Sequence, residues 1–343
     1  MIIRQYTSKD KNAWDRYVLK HPFSTIFHLT AWKEVVEDSF HHKSFYLVCE
    51  DENSSRITGL LPLFEIKSLL FGHYLISNPF AELGGILADD DDVEAPLLNR
   101  AVVISKKLNC DYLELRNKKE LPNLLTKSLY YNFQREISHD HDENLKAIPR
   151  KSRAMVRKGI KSELASEMGH HLFSEFYEML SLNFHRLGTP VFSRAYLEKL
   201  LKKDDLKTNI LVIRTKEQQT CAAVMTFFFK DQVVPYYAGS DNTMRHLGIN
   251  DFMYWELMKH GADRGYRIFD YGRSKEGTGS FSFKKHWGFK PNPLAYQYNL
   301  VKIDQLPNLS PANPKYQKKI EMWRRLPLWA TKIIGPFIAR NLA

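Results

Sequence analysis

Between residues 235 and 289 the chain spells strand, turn, helix, strand and glycine-rich loop in close succession, and this order restricts the fold more than any other feature. Tyr236-Tyr237-Ala238 closes a strand, and Ser240-Asp241-Asn242 is turn chemistry. A helix is predicted from about Asn250, a good N-cap residue, with Phe252, Trp255, Leu257, Met258 and Ala262 on its apolar face. Gly265 is placed to end that helix, and 266–271 reads as the next strand. The loop 272–279 follows, and behind it stand Phe283-Lys284-Lys285 and Trp287-Gly288-Phe289. Strands linked through a helix place ligands beyond the strand ends, so this loop is the first place to look for chemistry.

The rest of the chain tells the same order twice. In the first half a strand at Ile2-Ile3 and helices near 8–19 and 30–38 lead to strands at 45–49 and 57–64, the latter interrupted by Pro62. Short apolar runs at 75–76 and 85–87, a helix near 93–108 and a strand at 112–115 complete it. The second half has a helix at 173–187, strands at 210–214 and 222–229, the Tyr236-Tyr237 strand, the helix from Asn250 and the strand at 268–271. Cys49 corresponds in place to Ile213, and Leu115 to Tyr271. A repeat this long means duplicated domains rather than a solenoid. The join is expected at 138–149, where His139-Asp140-His141-Asp142-Glu143-Asn144 is polar and turn-like and Pro149 opens a helix. The expected division is 1–145, 146–302 and a basic amphipathic tail over 303–343, whose first part, 306–314, reads as an extended linker.

A length of 343 residues suits two domains of ordinary size. No apolar run approaches a membrane span and the first residues carry no signal-peptide pattern, so the cytoplasm is the expected compartment. Cys49, Cys110 and Cys221 each lie in an apolar stretch and read as buried thiols. No metal is expected, because alternate residues of the His-Asp-His-Asp segment make a poor closed site and no distant cluster completes it. The net charge of +11 suits an anionic partner, although an ordinary basic surface has the same charge.

The series Arg245, Gly248, Asn250-Asp251, Trp255, Gly265, Phe269-Asp270-Tyr271-Gly272-Arg273-Ser274-Lys275, Gly277-Thr278-Gly279, Phe283-Lys284-Lys285 and Trp287-Gly288-Phe289 resembles the FemAB-related acyltransferases of the GNAT-fold superfamily. Within them it is most similar to the subgroup associated with exosortase/PEP-CTERM and exopolysaccharide systems, and Leu61-Pro62-Leu63, Phe71-Gly72, Pro79-Phe80, Gly84-Gly85 and Gly188-Thr189-Pro190-Val191 extend the likeness along the chain. The resemblance implies an α/β fold of mixed sheets, built as tandem duplicated GNAT-like acyl-CoA N-acyltransferase domains. It also implies transfer of an acyl or aminoacyl group to an amine.

Acyl transfer passes through a tetrahedral oxyanion, which Lys284, Arg273 or Lys275 would stabilise as cations while Gly277, Thr278 and Gly279 let backbone N–H groups approach a ligand. The resemblance ties the Phe283-Lys284 pair to the reacting carbonyl; the plain alternative is a solvated loop anchored by Phe283. Asp270 and Asp251 are the carboxylates available to take a proton from the attacking amine, unless Asp251 merely complements a helix dipole and Asp270 pairs with Arg273. Tyr237 and Tyr271 are candidates to line the cleft. Arg245, Gly248 and Asn250 parallel the pyrophosphate loop of acyl-CoA enzymes, except that Asn250 stands where a small residue is usual. The run 150–161 holds six basic residues and no acid. Arg150 and Arg153 on its stripe suit a nucleotide diphosphate, a lipid pyrophosphate or a tRNA backbone, or simply water.

The donor is expected to be acyl-CoA or aminoacyl-tRNA, and the acceptor an anionic, phosphate-bearing substrate or lipid carrier. A tRNA partner is compatible with the basic run, but no RNA-binding motif accompanies it. In the tail, Trp323, Leu326, Leu328, Trp329, Ile333, Ile334, Phe337 and Ile338 alternate with lysines and arginines, which suits either peripheral contact with the inner face of a membrane or packing across the N-terminal domain. Two further readings stand beside the leading one: a CoA-dependent N-acyltransferase of a small amine, and a non-catalytic membrane-associated assembly factor.

Overall fold

The computed structural model describes residues 1–307 and 314–342, with side chains described from Gln317 in the last segment. The chain begins with β1 (Ile2–Gln5), α1 (Lys11–Lys20), α2 (Thr30–Phe40), β2 (Lys43–Ser44), β3 (Leu47–Glu50), β4 (Ile57–Leu61), β5 (Phe64–Ser68) and β6 (Gly72–Ile76). It continues through β7 (Leu87–Ala88), α3 (Asp91–Lys107), β8 (Tyr112–Asn117), β9 (Leu125–Lys127) and β10 (Tyr130–Glu136). The second half holds α4 (His141–Ala147), α5 (Arg150–Lys161), β11 (Ala165–Met168), α6 (Phe173–Leu187), α7 (Arg194–Lys202), β12 (Thr208–Arg214), β13 (Thr220–Phe229) and β14 (Gln232–Ser240). Then come α8 (Ile249–Asp263), β15 (Ile268–Lys275), α9 (Gly279–His286), β16 (Pro291–Pro293), β17 (Ala295–Leu300), α10 (Pro314–Arg325) and α11 (Leu328–Ala339).

Local chemistry explains many of the boundaries. Asp90 caps α3 by accepting from the Val93 N–H, with Asp91, Asp92 and Glu94 in its first turn and Lys106 and Lys107 in its last, as the helix dipole favours. Pro62 lies between β4 and β5, so the single strand expected over 57–64 is two strands, and they enter different sheets. The segment expected as a polar join is also regular: Asp140 accepts from the Asp142 and Glu143 N–H groups and starts α4. His141 meets Asp263 at 2.8 Å, so the His-Asp-His-Asp segment serves capping and pairing.

Two compact units result. The first comprises Met1–Tyr130 with residues 293–307 and 340–342; the second comprises Tyr131–Asn292 and Pro314–Ala339. The division therefore falls at Tyr130/Tyr131 instead of 145/146, and the chain returns to the first unit at Pro293. Of the linker expected over 306–314, residues 308–313 lie outside the described residues.

The first unit has one sheet ordered β1-β3-β4-β7 and another ordered β2-β5-β6-β8-β17-β9. The second has a seven-stranded sheet, β11-β12-β13-β14-β15-β10-β16. The repeat is visible in the pairing. β3 runs antiparallel to β4 as β12 does to β13, and β6 runs parallel to β8 as β14 does to β15. After the second parallel pair member each sheet takes a strand from outside its own half: β17 beside β8, and β10 beside β15. The core of the second unit gathers Phe133 of β10, Phe252, Trp255 and Met258 of α8, Phe269 and Tyr271 of β15, and Trp287.

The tail helices pack on α6 of the second unit. Arg324 donates to the Leu187 carbonyl at 3.1 Å, and His185 bonds the Leu326 carbonyl at 2.8 Å. A Cβ added at Gly335 would lie 3.0 Å from the Val191 backbone, which fixes how closely α11 approaches. Arg340 then joins the first unit, where its carbonyl accepts from His42 at 2.6 Å.

Candidate functional site

Strands β14 and β15 lie side by side yet pair only at Gln232↔Ile268 and Val233↔Phe269, the first residues of each. Two features of β14 turn it away beyond that point. Pro235 has no N–H to extend a ladder, and a bulge between Met225 and Thr226 of β13 leaves Tyr236 as an extra residue on β14. The second parts of the two strands therefore diverge, and α8 connects them. This opening is the place the sequence order marks for a ligand.

On the β15 side the chain stays extended through Lys275, so residues 272–275 are strand and the predicted loop contracts to 276–278. Gly272 has φ +66°, a conformation that favours glycine, and its N–H donates to Asp270 Oδ1 at 2.8 Å. Asp270 Oδ2 accepts from Asn132 of β10 at 3.3 Å. Asp270 thus orients backbone at the opening through Gly272 and ties it to Asn132 of β10.

Thr278 caps α9 by accepting from the Phe281 N–H and donating to the Lys275 carbonyl at 2.6 Å. The helix so aimed brings Lys284 back over β15. Its Nζ donates to the Gly272 and Arg273 carbonyls, both at 3.0 Å, and lies 5.5 Å from the Phe133 ring centre. Lys284 is 8% exposed, whereas the adjacent Lys285 is exposed and rests over Phe281. The buried ammonium holds the tip of β15 rather than Gly277-Thr278-Gly279. Gly277 and Gly279 have nothing within 4 Å of an added Cβ. They are open positions, exposed beside the half-exposed Arg273, Lys275 and Thr278.

Phe283, one residue before Lys284, packs partly buried among Tyr254, Tyr271 and Trp287. Asp251 in the first turn of α8 accepts from Trp287 Nε1 at 2.8 Å, and burial raises its carboxyl above the ordinary value against the opposing effect of that bond. Burial likewise drives the Tyr271 hydroxyl well up, and among the described residues this hydroxyl has no hydrogen-bond partner. Tyr237 does not join this group. It meets Tyr196 of α7 at 3.3 Å, hydroxyl to hydroxyl, and packs near Phe192.

Asn250 is not the N-cap of α8; Gly248, with φ +78°, holds that position, and Asn250 sits in the first turn. A Cβ at Gly248 would come 2.5 Å from the Met155 carbonyl oxygen, so the glycine lets α5 approach. Arg245 before it is exposed. Gly248, one of the three residues likened to a pyrophosphate loop, thus has local structural work. On α5, Arg150 is exposed and Arg153 half-exposed, near the Lys146 carbonyl at 3.4 Å. Ser152 of the same helix donates to the His286 carbonyl at 2.9 Å, which brings the start of the basic helix to the end of α9.

Residues the sequence reading passed over come mainly from β10. Arg135 is half-buried, donates to the Ala147 and Trp287 carbonyls, lies over Phe289 at 4.7 Å, and has its pKa lowered by burial. Ser274 of β15 is buried with an unpartnered hydroxyl among the described residues. The alternation in 130–136 was the available signal for β10. Two clefts, of about 330 and about 250 Å³, belong to the first unit, and neither is lined by these residues. Among the described residues no group of three His, Cys, Asp or Glu side chains is arranged to hold a metal.

Residues 146–285 match the family model described as an acetyltransferase (GNAT) domain, so the second unit carries such a domain. Over 93% of this chain and 100% of the other, the structure is similar to FemX, with a TM-score of 0.68 and 15% identity. It is also similar to L-PGS from Bacillus licheniformis, with a TM-score of 0.56 and 13% identity over 98% of this chain and 99% of that one. A tandem GNAT protein from the clavulanic acid biosynthesis pathway matches with a TM-score of 0.56 and 8% identity, over 89% and 99% of the two chains. No curated protein matches by sequence. The tandem GNAT-like architecture and the likeness to FemAB-related, GNAT-fold acyltransferases therefore hold at the level of domain and fold.

Proposed function

We propose that the GNAT domain of the second unit transfers an aminoacyl or acyl group to an amine of a cell-envelope or exopolysaccharide-related precursor presented at the inner face of a membrane. The observation that carries this reading is the Lys284 ammonium, buried where β15 parts from β14 and held by two backbone carbonyls. A cation fixed in a dry position costs no reorganisation when charge develops nearby. The neutral amine nitrogen attacks the donor carbonyl, forming the new N–C bond. Collapse of the oxyanion, opposed to Lys284, breaks the C–O bond of an ester donor or the C–S bond of a thioester. The amine proton passes to the leaving oxygen or sulfur, with Asp270 or Asp251 as the proposed relay. Arg273, Lys275, Arg150 and Arg153 are proposed to bind phosphate groups of the substrate, with Gly277, Thr278, Gly279 and Phe283 beside the acyl group.

An aminoacyl donor is favoured by analogy of fold. The C-terminal domain of a putative lysylphosphatidylglycerol synthetase from Agrobacterium fabrum shares the fold over 86% of this chain, with a TM-score of 0.56 and 11% identity. The GNAT domain match also keeps a second reading, a CoA-dependent N-acyltransferase of a small amine. Thermal stabilisation by aminoacyl-tRNA against that by CoA thioesters separates the two. For the reaction itself, Lys284→Met is expected to lower turnover 10²–10³-fold, about the loss seen for one oxyanion donor, while Lys285→Met leaves it near the parent value. Equal small effects of both substitutions would remove Lys284 from the chemistry, whereas a folded parent that turns over no donor but binds anionic vesicles would favour the assembly factor.

A further inference from the structure

We infer that the outer face of α11 docks the protein on the anionic surface of a lipid bilayer. Trp329, Ile333 and Phe337 recur at four-residue spacing and form one stripe on the helix, 67%, 60% and 69% exposed. Ile334 widens the stripe, and Met322 and Leu326 continue it toward α10. Leu187, exposed at the end of α6 against which Arg324 and Leu326 are bonded, adds to the same border. Scattered exposed apolar residues are ordinary, but a contiguous run with two aromatics at its ends needs a cover.

The same helices explain why the face stays rigid while uncovered. Thr331, Gly335 and Ala339 are buried on the opposite side of α11, Trp323 of α10 is buried as well, and Lys332 pairs with Glu178 of α6. The stripe therefore belongs to an element seated on the second unit, presenting side chains that the fold does not use.

Charge selects the occupant. From 314 to 339 the chain has a single acid, Glu321, against Lys318, Lys319, Arg324 and Arg325, all exposed, while Lys332 is matched by Glu178. Arg186 stands exposed beside Leu187. An apolar stripe with an indole, bordered by cations and almost free of carboxylates, matches a headgroup layer that is negative above and hydrocarbon below. At 12 residues α11 is about 18 Å long, too short to span a bilayer, so it would lie in the interface plane. Among the described residues no helix is long and apolar enough to cross a membrane. This inference does not depend on the acyl-transfer reading and is tested without an activity assay.

The experiment is vesicle sedimentation of the full chain at low and high salt, using vesicles of phosphatidylcholine alone or phosphatidylcholine with phosphatidylglycerol. Binding is expected only to the anionic vesicles, weakening as salt rises. Trp329→Ser, Ile333→Ser and Phe337→Ser together should weaken it by on the order of a hundredfold or more, with circular dichroism and urea midpoint unchanged. Lys318→Glu with Lys319→Glu and Arg325→Glu should abolish the preference for phosphatidylglycerol. If the triple serine variant does not fold, Trp329→Ser alone carries the test, with roughly a tenfold loss expected. The inference is overturned if the parent protein ignores anionic vesicles or binds phosphatidylcholine equally well. It is also overturned if the serine variants bind as the parent does. A parent dimer that the serine substitutions convert to monomer would overturn it too, by assigning the face to a second copy.

Discussion

Replacing Lys284 by Met should loosen the tip of β15 before it does anything else. The substitution keeps an apolar stem of similar length beside Phe133 and removes the ammonium from the Gly272 and Arg273 carbonyls. Hydrogen bonds from a charged donor contribute about 1.5–3 kcal/mol each, so the two carbonyls lose roughly 3–6 kcal/mol of interaction. Relief of the buried cation's desolvation and access of water to the freed carbonyls return part of this, leaving about 2–4 kcal/mol. That energy acts locally, because β15 is paired with β14 only near Ile268 and Phe269 and cannot fall back on that strand. Native-state hydrogen exchange followed by mass spectrometry on a peptide covering 268–286 reads it directly. Amides at 272–275 should exchange roughly 30- to 1,000-fold faster, while those of α6 and β13 stay protected. Lys285→Met is the control, since that exposed side chain rests over Phe281 and bonds no strand carbonyl in the set that holds β15. A change below about threefold at 272–275 in a folded Lys284→Met protein would refute the strap and with it the reasoning that the cation is fixed in place.

Other perturbations follow from the same packing. Asp251→Asn keeps an acceptor for Trp287 but removes a carboxylate whose pKa burial raises. Asp251's own contribution is full below the ordinary carboxylate range and lost as pH rises through its raised value, so the Asn variant should be at least as stable as the parent at pH 7 in urea titration; a clear loss contradicts this. His260 is pushed down to about 4, first by burial and then by Arg264, whose Nη1 lies 2.9 Å from its Nδ1. The unfolded chain therefore binds a proton first, and stability should fall as pH drops from about 6.5 toward 4, by about 1 kcal/mol once the half-exposed ring is discounted for solvent. His260→Gln should flatten that part of the pH–stability curve, and an unchanged slope would exclude the residue as its source. In β14, Gly239→Ala would place a Cβ 2.1 Å from the Met179 carbonyl oxygen of α6. Because backbone must move, a loss of about 3 kcal/mol or more is expected by urea unfolding, and a neutral effect would mean that α6 is not held against the sheet there.

Elements whose causes are local were readable from the residues alone. The extent of α6, that of α3 to within two residues, the left-handed Gly265 after α8 and the burial of Phe252, Trp255 and Met258 follow from periodicity and turn chemistry within a few positions. The doubled order of strands also survived, because each half must build a similar core. Some elements fared worse: β9 has only three residues, β10 offers only the alternation in 130–136, and α7 escaped notice despite Ser193 accepting from the Tyr196 N–H as its cap.

What the tertiary structure decided is where those pieces go. Nothing in 130–136 says that it enters the second sheet beside β15, and nothing in 295–300 says that it returns to lie between β8 and β9, since a strand chooses partners by long-range pairing. Lys284 and Lys285 are neighbours of the same chemistry, yet α9 turns one onto the Gly272 and Arg273 carbonyls and leaves the other exposed. Tyr237 and Tyr271, both aromatic strand residues, fall into separate packing groups for the same reason. In the tail, composition marked an amphipathic segment, but contact with α6 selected Trp323 for burial and left Trp329 exposed. Apolar character is a property of each side chain; which side chains remain to face a partner depends on the surfaces the rest of the chain has already covered.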